Sequence, residues 1–147
     1  MKVYRISNKK YTEHLNGEGA YRVGGRWNSK GVRMVYTSTS IALASLEVLV
    51  HSDGIPIPNG MILLTFEVPN RYIQFLEKLP LGWNEVPPKG AAKAAGDEFI
   101  NSNKLLGLKV PSAIIPEEYN VLLNPLHLHM DKVELVSQRE YAFDGRL

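Results

Sequence analysis

Residues 32–54, VRMVYTSTSIALASLEVLVHSDG, hold a strand-to-helix unit whose reading decides the fold. VRMVYT at 32–37 is rich in β-branched and aromatic side chains, which suit a pleated, half-buried surface. Ser38, Thr39 and Ser40 follow it. Their hydroxyls can accept from the first orphan amides of a helix, so each is an N-cap candidate. IALASLEVLVH at 41–51 is then a helix, closed by Ser52, Asp53 and Gly54. Its apolar run is interrupted by Glu47 and is too short to span a bilayer, so the helix is expected inside the core.

Upstream, KVYRI at 2–6 alternates and predicts a strand. Residues 7–31 are glycine-rich and polar and predict a long loop, and a loop of that length in a small domain is usually functional. Downstream, MILLTFEV at 61–68 is a β-rich run closed by Pro69, with residues 71–76 expected to pair with it. LPLGWNEVPPKG at 79–90 is a proline-rich loop, and AAKAAGDEFINSNK at 91–104 a weakly amphipathic helix. Short strands are expected at 107–110, 112–115 and 119–123, and a last one near 133–137. Mostly β order with two or three helices argues an α+β fold rather than a regular βαβ array. No repeat or linker divides the chain, so residues 1–147 form one domain.

The composition excludes several classes. The 147 residues are 44% apolar and 22% charged, which is globular. The net charge is +2 and the basic residues are scattered, without the dense stripe of a nucleic-acid binder. Absence of cysteine rules out a disulfide framework and a thiolate nucleophile. The start, MKVYRISNKK, has no apolar signal region, which fits a cytoplasmic protein with no membrane partner.

Chemistry concentrates in residues 19–51. The helical neighbours of Glu47 are Leu43, Ala44, Val50 and His51. A carboxylate on so apolar a helix is costly unless paired. The readings are a bond to His51, a helix-end glutamate that reaches solvent, or a glutamate on the floor of a cleft aimed at a polar substrate. Arg26 lies in GAYRVGGRWN at 19–28, after two glycines that permit close approach of a ligand. Its planar fork suits a phosphate or carboxylate, although a surface ion pair is the alternative. Trp27 is a core anchor or a stacking surface, and Tyr36 packs in the core or stacks on a flat ring. Ser112, after Val110 and Pro111, has the setting of a backbone-capping serine, and nothing beside it resembles a nucleophile elbow. The glycine loop leads into a strand and not a helix, so it is no dinucleotide fingerprint. His127 and His129 would share one face of a strand, without a third ligand for a metal.

Tyr4-Arg5-Ile6, GGRWNSKG at 24–31, VYTSTSIALASLEVLVH at 35–51 and VPSAII at 110–115 together resemble the RES domain family, from residue 3 to about Pro125. Arg26, Glu47 and Ser112 match the arginine, glutamate and serine for which the family is named. The resemblance implies an ADP-ribosyltransferase-like α/β core around an NAD+ cleft. It implies a toxin of a bacterial toxin–antitoxin pair, homo-oligomeric within its complex, with an Xre-like helix-turn-helix antitoxin. NAD+ would be the substrate, degraded by hydrolysis or phosphorolysis without a metal. The chain looks short for the family. In these terms Glu47 stabilises positive charge developing on the ribose. Arg26, with Arg5 as a second candidate, neutralises the pyrophosphate. Tyr36 stacks on nicotinamide, Trp27 offers a further stacking surface, and Asn28 and Ser112 position ribose or phosphate. The alternatives are an ADP-ribosyltransferase acting on a protein, and a non-catalytic nucleotide- or partner-binding module in which Glu47 only pairs with His51.

Overall fold

A computed structural model describes residues 1–11 and 13–147. The chain runs β1 (Lys2–Asn8), α1 (Glu18–Val23), β2 (Val35–Ser38), α2 (Ile41–His51), β3 (Met61–Glu67), β4 (Ile73–Phe75), α3 (Ala91–Ser102), β5 (Gly107–Pro111), β6 (Tyr119–Leu123) and β7 (Glu134–Tyr141). All strands join one seven-stranded sheet in the order β4-β5-β6-β2-β1-β3-β7. Only β4 and β5 are parallel; every other neighbour pair is antiparallel. This is the single mixed α+β domain that the element order predicts.

Helix α2 starts and stops where its sequence signals lie. Ser40 is extended and its Oγ accepts from the Leu43 amide at 3.0 Å. Ala44 packs with Ile6 and Leu63 on one face of the sheet. Leu64, the next residue of β3, enters the opposite cluster with Val3, Val35, Phe66 and Val121. Strand β3 is therefore covered on both faces, which explains its four consecutive apolar residues Met61–Leu64. On α3, Ala92, Phe99 and Ile100 pack with Trp27, Met34, Leu108 and Leu122. Among the described residues no helix is long and apolar enough to cross a membrane.

The structure corrects several local expectations. Residues 71–76 do not pair with β3: its two edges are taken by β1 and β7, and β4 lies beside β5 at the far end of the sheet. Residues 112–115 are a turn and not a strand, because the Ser112 Oγ accepts from the amides of Ile114 (3.0 Å) and Ile115 (3.3 Å). The glycine-rich loop contains α1, and β7 runs four residues past its expected end at 137. His127 and His129 lie in a turn after β6, where His127 Nδ1 accepts from the His129 amide at 3.1 Å. Helix α2 is buried along one side only, and Val50 is 57% exposed.

Candidate active site

A cavity of about 400 Å3 opens between α2, the sheet and the glycine-rich segment. Arg5, Arg26, Trp27, Tyr36 and Glu47 line it. Residues far apart in sequence meet here because β1 and β2 are neighbours and α2 follows β2 directly.

Glu47 is held from one side. Its Oε1 accepts from Asn120 Nδ2 at 2.7 Å and from Ser112 Oγ at 3.1 Å. Its Oε2 lies 3.8 Å from His51 Nδ1, but that nitrogen sits 2.6 Å from the Glu47 backbone carbonyl and donates there. His51 thus stays local to the helix end, and the partners of the carboxylate come from β6 and the turn after β5. Burial of the acid is compensated by two neutral donors, which leaves it a charge to offer the cavity.

Arg5 faces the same space. Its Nη1 donates to the Tyr36 carbonyl at 3.1 Å, while its buried Nε has no partner among the described residues. Burial lowers its pKa from the ordinary arginine value. A guanidinium under-supplied with acceptors in a cavity is a site for an anion. Arg26 is partly committed: its Nη1 donates to the carbonyls of Trp83 (3.0 Å) and Glu85 (2.9 Å) in the proline-rich loop. Trp27 is buried and its ring stacks on Trp83 at 6.2 Å. Arg26 and Trp27 therefore pin that loop over the site as well as lining it.

The Tyr36 hydroxyl donates to Asn28 Oδ1 at 2.7 Å and accepts from the Trp27 amide at 3.0 Å. Burial, the largest cause, pushes its pKa well above the usual tyrosine value. The phenol stays protonated, and its ring is what it can present to a ligand. Gly25 makes this packing possible, since a Cβ there would lie 2.7 Å from the Tyr36 hydroxyl.

Two expected substrate contacts sit behind the cavity wall. Asn28 is fully buried; its Nδ2 faces the carbonyls of Ala20, Ser29 and Val32, so it shapes the loop and anchors Tyr36. Ser112 is also fully buried, and its hydroxyl is consumed by two amides and Glu47. Sequence reasoning missed Asn120 and Asp97. Asp97 on α3 accepts from the Ser29 amide at 2.8 Å and from the Ser29 hydroxyl, bracing the segment that carries Arg26. The available signal for Asn120 was a polar side chain ahead of the apolar run VLL in β6.

A sequence model of the RES domain matches residues 2–144. The chain belongs to the RES domain family. It is 38% identical to the protein named Toxin Res of Photorhabdus laumondii, over 100% of this chain and 97% of that protein. It is 36% identical to one named Prs ADP-ribosylating toxin of a Sphingobium species, over 92% of this chain and 87% of that protein. Its fold is that of the toxin in the M. tuberculosis MbcT–MbcA toxin–antitoxin complex, with a TM-score of 0.78 at 18% identity, over 95% of this chain and 83% of that one.

Proposed function

We propose that this RES domain cleaves the nicotinamide–ribose bond of NAD+. The observation that carries the reading is one cavity with a carboxylate held by neutral donors on one side and an under-partnered guanidinium on the other. Loss of nicotinamide leaves oxocarbenium-like charge on the ribose, which Glu47 stabilises. Arg5 and the uncommitted part of Arg26 neutralise the pyrophosphate, and the Tyr36 ring supports nicotinamide. Asn28 and Ser112 act through Tyr36 and Glu47. No step in this scheme calls for a metal.

Purified protein incubated with NAD+ is expected to release free nicotinamide. Water as acceptor yields ADP-ribose, and inorganic phosphate yields ADP-ribose phosphorylated on the freed anomeric carbon, so reactions with and without phosphate identify the acceptor. No nicotinamide from folded protein in either buffer overturns the reading. The name of the Sphingobium relative favours a second acceptor, a protein side chain. Labelled ADP-ribose appearing on a protein, with little free product, selects it.

Arg26→Lys keeps the charge but loses the fork. One ammonium cannot hold the Trp83 and Glu85 carbonyls and also grip a diphosphate. The expected result is KM for NAD+ raised about tenfold or more, a loss of roughly 1.4 kcal/mol in binding. Unchanged KM and kcat would leave Arg5 as the anion clamp.

An enzyme of this kind in the cytoplasm must be restrained, and the MbcT–MbcA likeness supports an antitoxin partner. The proposed partner is an Xre-like helix-turn-helix protein, bound to an oligomer of the toxin, with a segment that enters the cavity and borrows the substrate's contacts at Arg26 and Glu47.

A further inference from the structure

Asn120 belongs to β6, and its direct cross-strand partner on β2 is Ser38. The Ser38 hydroxyl is buried and donates to Asn120 Oδ1 at 2.7 Å. The carboxylate, which can only accept, fixes the amide: its NH2 faces Glu47, so its oxygen faces Ser38 and takes that hydroxyl's proton. On the other flank the Ser112 hydroxyl accepts from two backbone amides, so its single proton goes to Glu47. Both donors converge on Oε1. The acceptor capacity of the carboxylate is thereby concentrated on Oε2, which accepts no hydrogen bond among the described residues; His51 Nδ1 is 3.8 Å away and turned to a carbonyl.

We infer that Asn120 is a positioning residue that sets which oxygen of Glu47 meets the reacting ribose. The inference rests on the NAD+ reading above. Ser38, Asn120, Glu47 and Ser112 form one relay in which every proton has a single sensible direction. A relay of this kind orients the acid before substrate arrives and leaves no reorientation for the moment of bond cleavage. Asn120 also lines the cavity, but its oxygen is committed to Ser38 and its NH2 to Glu47, so its contribution is expected in kcat rather than in KM.

The test compares Asn120→Ala, Asn120→Asp and Ser38→Ala by steady-state nicotinamide release, with melting temperature as the check on folding. Asn120→Ala is expected to lower kcat about 10- to 100-fold, with KM within about threefold of wild type. Asn120→Asp, nearly isosteric, is expected to be worse than alanine, because it replaces the donor with a second carboxylate at the same distance. Ser38→Ala keeps the donor but removes the bond that steadies the amide oxygen, and is expected to fall in between. It serves where an Asn120 variant fails to fold. Wild-type kcat in Asn120→Asp, or a loss confined to KM, overturns the assignment. A crystal structure of Asn120→Ala decides the point without any activity: Glu47 should turn from its wild-type orientation, and a carboxylate that stays in place overturns the inference. Wild-type protein that releases no nicotinamide removes the NAD+ reading alone, and the crystal structure still judges the relay.

Discussion

Glu47→Gln is expected to fold like the wild type and to release nicotinamide at least about 100-fold more slowly, a loss on the order of 3 kcal/mol in transition-state stabilisation. The geometry makes the substitution informative. The glutamine oxygen can take the place of Oε1 and keep both bonds, from Asn120 and from Ser112. Its NH2 then stands where Oε2 stood. A donor bearing partial positive charge would face the ribose at the moment positive charge develops there. The fold keeps its hydrogen bonds while the chemistry meets the wrong sign. Nicotinamide release and a thermal melt on the same preparation check both halves. Near-wild-type turnover by a folded variant would sink the mechanism.

Gly96→Ala is expected to destabilise the domain by about 3 kcal/mol or more, lowering Tm by roughly 10 °C. A Cβ at Gly96 would lie 1.7 Å from the Trp27 carbonyl oxygen and 2.7 Å from its carbon. Both are backbone atoms, so no side chain can swing aside; α3 must withdraw from the loop. The next residue is Asp97, whose two bonds to Ser29 tie that loop down. The variant is therefore expected to lose activity as well, because Arg26 and Trp27 ride on the same segment. Gly19→Ala is the control: a Cβ there meets nothing within 4 Å. A Gly96→Ala protein that melts beside the Gly19→Ala control would show that α3 and the loop are far less tightly docked.

Much of the frame was legible because it is local. Ser40, the apolar run after it and the Ser52–Gly54 stop delimit α2 within a few residues of chain. Glu47 stood out for the same reason, as a charge where its own helix supplies only apolar neighbours and His51. The roles of Asn28 and Ser112 were less legible. The capping of local amides by Ser112 follows from its place after Pro111, but only the folded chain shows that its proton goes to Glu47 and that Asn28 is consumed inside the wall.

The sequence by itself determined most of the element order, though not α1 and with one strand too many at 112–115, and with it the α+β class and the residues worth testing, since periodicity, capping and residue chemistry act over one or two turns of chain. Only the tertiary structure decided the rest. Strand order depends on which edges are already occupied, and no signal within residues 71–76 says that β1 and β7 hold both edges of β3. The partner of Glu47 was likewise set at long range. His51, four residues away, was the candidate that helix spacing offered, and it went to a backbone carbonyl. Asn120 and Ser112, 73 and 65 residues away, took the carboxylate because the sheet brings β6 beside β2 and the end of β5 close behind it. Hydrogen bonding depends on distance in space, and a sequence records only distance along the chain.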